Sequence, residues 1–175
     1  MKAHLRRKSG FSLTKDIVVF MIIIAIVFSA GVYYISTQQK LSSLSGFAVE
    51  HIDINSHGSN SNIQGYVYVA STSSEQTQGL MGITSFGNCN GFAAFESECI
   101  GMIFPVSSTQ QICLWMHDTP IPLLQVWISE NGTVTALYQA QPESDKSVCY
   151  PGMYVLETKQ NLQITIGSVV TQSPA

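Results

Sequence analysis

The chain has 175 residues, which is enough for one ordinary domain and little more. Charged residues make up 11% of it and hydrophobic residues 45%, whereas an average soluble protein is about 25% charged. Five of the eight lysines and arginines precede Ile17, and residues 36–175 keep three lysines against ten acidic residues, a formal net charge of −7. Because such a surface repels a polyanion, we expect no nucleic-acid partner.

The first predicted element is a helix over residues 17–35, a stretch without a charged side chain. At about 1.5 Å per residue this helix is about 28 Å long, close to the ~30 Å hydrocarbon thickness of a bilayer. We therefore predict a single transmembrane helix in the cytoplasmic (inner) membrane. Its flanking positive charges lie on the N-terminal side, so residues 1–16 are expected in the cytoplasm and the C-terminal part outside it.

Two other fates of this segment are open. The small residues at 29–31 offer a signal-peptidase site, although the apolar run continues to Ile35 and is longer than a usual signal. The run Gly10-Phe11-Ser12-Leu13-Thr14, after a basic leader, resembles a type IV prepilin cleavage site. That resemblance implies cleavage after Gly10 and packing of the new N-terminal helix into a filament. The family's glutamate, five residues after the cut, is replaced here by Lys15.

Residues 36–62 are rich in Ser, Gln, Asn and Gly, a composition typical of a flexible tether. Only residues 47–54 within them show the alternation of a strand. We expect a linker over residues 36–62 and a folded β-domain over residues 63–171.

The β-domain begins with a predicted strand at residues 66–69, whose side chains are β-branched and aromatic. Thr72 and Glu75 have the spacing of a capping box, in which each side chain bonds the other residue's backbone N–H. A short helix should therefore run to about Gln78 and stop at Gly79.

Later strands are predicted from alternation and from turn residues. Asn131-Gly132 is a strong hairpin signal because both residues tolerate positive φ. The pattern as a whole predicts a mainly β fold, a compact sandwich or barrel with one short helix. The predicted strands cover residues 101–105, 111–117, 124–129, 133–138, 154–157 and 162–166.

The order of these motifs resembles the domain of unknown function 192 (DUF192) family across about residues 65–170. The matching pieces are Gly79-Leu80-Met81, Gly101-Met102-Ile103-Phe104, Trp115-Met116 with Thr119, Ile121-Pro122-Leu123, Asn131-Gly132 and Tyr154-Val155-Leu156-Glu157. The resemblance implies a compact, mostly β domain that is often exported and has no established biochemical role. This chain has His117-Asp118 where the family usually has Lys-Asn, and Leu124 where it has aspartate.

The four cysteines would lie outside the cytoplasm, where disulfides persist. Of the three pairings that four cysteines allow, we favour Cys89–Cys99 within a local insertion and Cys113–Cys149 between a strand and a loop. Free buried thiols are the main alternative. A zinc site is disfavoured because the sequence has no C-x-x-C pair.

His117, Asp118 and Glu157 are the titratable residues inside the motifs. A histidine beside a carboxylate can serve acid–base chemistry or ligate a metal. Neighbouring residues of a strand point to opposite faces, however, so the pair converges only where a turn begins. We therefore favour a structural role, assign no catalytic residue, and expect neither a metal nor another cofactor.

The favoured function is a membrane-anchored module that binds a small ligand, a glycan or a protein of the cell envelope. The alternatives are a pilin-like filament or secretion-system component and a hydrolase-like enzyme. The candidate cleft combines the loop after the short helix with the end of the strand at residues 111–117 and with Glu157. Its residues are Gly79, Leu80, Met81, Trp115, Met116, His117, Asp118, Thr119 and Glu157.

Overall fold

The computed structural model describes residues 13–42, 44, 46–58, 61–87, 89 and 99–174, with side chains of the first helix described from Ile17 to Tyr33. The chain divides into two compact units, Met1–Gln39 and Lys40–Ala175. The second unit is the β-domain. Gly10 and the rest of the prepilin-like motif up to Ser12 lie outside the described residues, so that interpretation stays a prediction.

Helix α1, Leu13–Ser42, lies in the first unit except for its last three residues. Its large apolar side chains between Ile17 and Tyr33 are exposed. Within the described part of the chain, no helix meets the combined length and hydropathy required to cross a membrane.

The described residues of the β-domain form seven strands and one short helix. The strands form a single sheet in the order β5-β4-β6-β3-β2-β1-β7, in which β2 and β3 are parallel and the other neighbours are antiparallel. The elements are β1 Ala48–Asn55, β2 Asn62–Val69, α2 Ser73–Gln78, β3 Cys99–Leu114, β4 Leu123–Ile128, β5 Val134–Ala140, β6 Val148–Lys159 and β7 Val169–Pro174.

The sheet curves into a half-barrel. Its two edge strands meet at one end through a bridge between Thr133 and Val169. The inner face carries an aliphatic core that includes Ile52, Val67 and Val126. The mainly β prediction is confirmed, and the strands belong to one curved sheet rather than to the two sheets of a sandwich.

The outer face of the sheet is also covered. Tyr68 and Met102 of this face pack beneath the loop that follows α2 and beneath the loop between β3 and β4. Because both faces are covered, β4 is buried along its entire length. This two-sided burial explains why a polar residue within β4 has no access to solvent.

The capping box is confirmed. Thr72 Oγ1 accepts from the Glu75 N–H and the Glu75 carboxylate accepts from the Thr72 N–H, at 3.2 and 2.7 Å. These contacts hold the pKa of Glu75 below its usual value, chiefly through the Thr72 backbone hydrogen bond. The helix ends at Gly79, whose φ of 48° suits glycine.

Three sequence predictions need correction. The segment 36–62 was expected to be a tether, but it contains β1, which pairs with both β2 and β7. The strands expected at 101–105 and 111–117 form one strand, β3, whose register shifts between Pro105 and Gln110. It ends at Leu114 because the chain turns at residues 117–118, where Asp118 has a φ of 50°.

The third correction concerns residues 162–166, which form irregular structure leading into a turn at residues 166–167 instead of the predicted strand. Ser168 fixes this turn, since its N–H donates to the Thr165 carbonyl and its Oγ accepts from the Thr165 N–H. The last strand is β7, a few residues later. The Asn131-Gly132 hairpin is confirmed, with Gly132 at a φ of 82°.

Candidate functional site

The exposed side of the site is built at the end of β3. Trp115 directly follows the strand and is 53% exposed. Its ring stacks on that of His117, with the ring centroids 4.8 Å apart and the planes inclined by 18°. We call Trp115, His117, Asp118 and Asp145 the platform.

Two carboxylates hold the His117 ring. Its Nδ1 lies 2.9 Å from Asp145 Oδ1, and its Nε2 lies 3.6 Å from Asp118 Oδ2. The pKa of His117 is raised, first by the hydrogen bond to Asp145 and then by the charge of Asp118. His117 and Asp118 do converge, because the turn begins at this point.

Backbone hydrogen bonds fix the loop that carries the platform. The Met116 N–H donates to the Ser144 carbonyl at 2.9 Å, and the Glu143 N–H donates to the Thr119 carbonyl at 3.0 Å. The Thr119 N–H closes the turn onto the Met116 carbonyl at 3.1 Å. The loop between β3 and β4 and the loop before β6 therefore form one unit, which brings Asp145 to His117.

The buried side of the site lies directly beneath. Met116 is 2% exposed, Gln125 of β4 is 1% exposed and Glu157 of β6 is 5% exposed. Gln125 and Glu157 are directly opposite each other in the β4–β6 ladder. The Gln125 Nε2 donates to Glu157 Oε1 at 3.0 Å and lies 3.8 Å from the Met116 sulfur.

Burial raises the pKa of Glu157 to about 7, against the opposing effect of the hydrogen bond from Gln125. Gln125 Oε1 is buried and has no hydrogen-bond partner among the described residues. A protonated Glu157 is therefore the less costly state in this layer, since no described ion pair offsets the charge of its carboxylate.

The structure separates the other predicted cleft residues. Leu80 is in the outer core with Phe104, Gly79 caps α2, Met81 is half-buried and Thr119 is buried. The loop after α2 nevertheless reaches the site, because the Gly82 N–H donates to the Asp118 carbonyl at 2.6 Å. His117 and Asp118 face solvent while Glu157 lies in the core, so the candidate acid–base groups divide into an exposed pair and one buried residue.

Two residues of the site were not predicted. Gln125 had a signal, since it is the polar residue within the otherwise apolar strand Leu123–Ile128. Asp145 had none, because it lies in a polar loop and meets His117 across 28 residues of sequence. Among the described residues, no group of three or more His, Cys, Asp or Glu side chains could hold a metal ion.

All four cysteines are paired, as Cys89–Cys99 and Cys113–Cys149. Both predicted pairings are confirmed. Their Cα atoms are 5.0 and 4.0 Å apart, respectively. Cys113 and Cys149 occupy directly opposite positions in the β3–β6 ladder, immediately before the platform.

Comparison with known proteins supports the fold. Residues 53–171 match the model of the DUF192 family, described as Uncharacterized ACR. A crystal structure from Sinorhizobium meliloti, described as that of a proposed transcription regulator, has a TM-score of 0.62 and 24% identity and covers 72% of this chain and 95% of its own. A protein of unknown function from Novosphingobium aromaticivorans has a TM-score of 0.61 and 26% identity, covering 73% of this chain and 87% of its own. No curated protein matches the chain.

Proposed function

This chain belongs to the DUF192 family, and we propose that its β-domain is a binding module whose platform receives a cationic group of the ligand. The single observation that carries this proposal is the half-exposed indole of Trp115 stacked on His117, whose ring two carboxylates contact. An exposed tryptophan face attracts an ammonium or guanidinium group within about 6 Å of the ring.

Charge supports a cation over a neutral or anionic ligand. Asp118 and Asp145 contact His117 directly, and the Glu143 charge also acts on it. Residues 36–175 carry a net charge of −7, so the field around the domain attracts cations over longer distances. The same field disfavours DNA, so the description of the Sinorhizobium relative does not guide this proposal.

His117 makes the proposed binding depend on pH. When protonated it places a positive charge beside the indole and neutralises part of the acidic rim. Because its pKa is raised, deprotonation should increase affinity for a cation as the pH rises through that value.

Binding is tested by titrating the full chain with a short oligolysine peptide, with spermidine and with a neutral chitin oligosaccharide. We expect both cations to bind and affinity to fall as salt increases. Trp115→Ala should weaken binding about two- to fivefold, the size of an exposed cation–π contact. Comparison of the peptide with spermidine separates a protein ligand from a small amine.

Matched controls are available elsewhere on the β-domain. Ile166→Ala removes another exposed apolar side chain, at 61% exposure, and Glu130→Gln removes an exposed acid outside the platform. Both should bind like the wild type. Preference for the oligosaccharide, or equal losses in the controls and in Trp115→Ala, would reject the cationic platform.

We further propose that the uncharged segment at residues 17–35, which extends beyond the described side chains of α1, anchors the β-domain to the cytoplasmic membrane, with the domain on the outer side. Its support is the uncharged run at residues 17–35, the exposed apolar side chains of α1 and the basic residues before it. The protein should stay in the membrane pellet after alkaline carbonate washing, and protease added to spheroplasts should digest the β-domain. Release by carbonate, or protection until the membrane is permeabilised, would contradict this topology.

A further inference from the structure

The disulfide Cys113–Cys149 lies in a part of the sheet that has only two strands. After the register shift between Pro105 and Gln110, β3 resumes pairing with β6 over five residue pairs. These pairs join residues 110–114 to residues 148–152, and we call them the ribbon.

The neighbouring strands end before the ribbon begins. In the described pairings, β4 contacts β6 only at Tyr154–Lys159, and β2 contacts β3 only as far as Ile103. The ribbon is thus a two-stranded extension of the half-barrel. Two-stranded ribbons have marginal stability in water unless something else holds them.

Each face of the ribbon is held differently. One face packs on Trp127, whose ring lies 5.0 Å from that of Tyr150 and whose Nε1 donates to the Ile112 carbonyl at 2.9 Å. The opposite face carries the disulfide. Cys113 is exposed there, and Ser147 Oγ lies 3.9 Å from Cys149 Sγ in an exposed contact.

The ribbon leads directly into the platform. Trp115 follows the last residue of β3, and Asp145 precedes the first residue of β6 by three positions. The hydrogen bond between Met116 and Ser144 continues the pairing beyond the strands. The distance between His117 and Asp145 therefore depends on the register of the ribbon, which the backbone pairing and the disulfide together hold.

We propose that Cys113–Cys149 is a solvent-accessible thiol–disulfide exchange site that clamps the platform, and that a dithiol reductant releases it. A thiolate of the reductant attacks one cysteine sulfur, breaks the S–S bond and forms a mixed disulfide. The second thiol of the reductant then displaces that cysteine. Two electrons and two protons reach the protein as two thiols, and the reductant becomes a disulfide. The clamp would act on the proposed binding surface and in that respect rests on the proposed function. Its effect is measured at the contact between His117 and Asp145, which requires no ligand.

The second disulfide provides an internal comparison. Cys99 is fully buried in the outer core and Cys89 is half-buried against that core, whereas Cys149 is half-buried and Cys113 is exposed. Access limits thiol–disulfide exchange, so the two disulfides should differ in their rate of reduction while the protein stays folded.

Selective reduction is tested on the full chain with dithiothreitol, followed by alkylation and peptide mapping at successive times. Cys113 and Cys149 should become alkylated at least roughly tenfold faster than Cys89 and Cys99. Equal rates, or faster labelling of Cys89 and Cys99, would overturn the proposed accessibility.

The clamp is tested by measuring the pKa of His117 by NMR in two double variants. In Cys113→Ser with Cys149→Ser, this pKa should fall toward its ordinary value because Asp145 is no longer held beside the ring. In Cys89→Ser with Cys99→Ser it should stay raised, even if the domain is less stable. An unchanged His117 pKa after loss of the Cys113–Cys149 bond would overturn the proposal.

If the first double variant does not fold, the selectively reduced wild type supplies the same measurement. The result is independent of the proposed function. A lowered His117 pKa without any cation binding would support the clamp and reject the ligand, whereas cation binding with an unchanged pKa would do the reverse.

Discussion

His117 is in the exposed loop after β3 and Glu157 is in the buried layer, and the pKa of each is raised for an opposite reason. The protonated, positively charged form of His117 is stabilised, because Asp145 and Asp118 contact the ring in a solvated loop. The ionised, negatively charged form of Glu157 is destabilised, because the carboxyl group is buried and accepts a hydrogen bond from one amide donor. A raised pKa therefore marks a favourable ion pair in one region and an unfavourable desolvation in the other.

The contrast separates the recognition surface from the layer that supports it. The platform can change its charge at little cost to the fold, since water screens its groups. The Gln125–Glu157 pair cannot, since neither residue reaches solvent. Met116 connects the two regions through its buried sulfur and its backbone bond to Ser144.

The largest expected effect distinguishes two adjacent residues. Met116→Ala should lower the free energy of unfolding by about 2–5 kcal/mol, the cost of truncating a fully buried side chain. Trp115→Ala should change it by no more than about 0.5 kcal/mol, as expected for an exposed residue. Urea unfolding of both variants checks this difference. Similar losses would mean that the platform is part of the core.

The second prediction concerns the pH dependence of stability. Glu157 has a pKa of about 7 when folded, against an ordinary value of 4.5, so the folded state binds its proton more tightly. The stability that this proton contributes is fully present below pH 4.5, and about 3 kcal/mol should be lost as the pH rises through 7. Glu157→Gln should remove this loss and be more stable than the wild type at pH 8.

His117 acts in the same direction, since its raised pKa gives stability that is lost as the pH rises through that value. The comparison must therefore be made between wild type and Glu157→Gln, by urea unfolding at pH 5 and pH 8. An identical pH dependence in the two proteins would show that burial does not raise the pKa of Glu157.

Much of the β-domain could be predicted because its signals are local. The capping box at Thr72 and the Asn131-Gly132 turn each depend on residues within one turn of the chain. The alternation at residues 162–166 is also a local signal, and it predicts a strand that does not form. A hydrogen bond from the Thr165 N–H to Ser168 Oγ stabilises a turn there instead. Strand β1 resembles part of a linker because segments rich in Ser, Gln, Asn and Gly flank it, and its pairing with β7 spans the length of the β-domain.

The candidate site could be predicted only in part. Trp115, His117 and Asp118 stand together in the sequence, so their neighbourhood was evident. The contacts that define their chemistry are long-range. Asp145 lies in the loop before β6, and Gln125 of β4 donates to Glu157 of the neighbouring strand β6. Which charge meets His117 depends on the register of β3 and β6, which no short motif encodes.

A smaller effect is expected from replacing Gln125, whose buried side-chain oxygen has no hydrogen-bond partner among the described residues. Gln125→Leu removes the donor that stabilises the Glu157 carboxylate and also removes a buried oxygen without a partner. The pKa of Glu157 should rise further, by about one unit. This would appear as a shift to higher pH in the midpoint of the pH-dependent stability. A midpoint that moves to lower pH would show that the amide does not donate to Glu157.

The smallest effect tests the exposed side of the comparison. Asp145→Asn should lower the pKa of His117 more than Asp118→Asn does, because the hydrogen bond to Asp145 is its largest cause. Both variants remove one charge at the same ring, so they differ only in geometry. NMR titration of His117 in the two variants measures the difference. If Asp118→Asn has the larger effect, the pKa of His117 is raised mainly by nearby charge and not by the hydrogen bond to Asp145 that the register of the ribbon aligns.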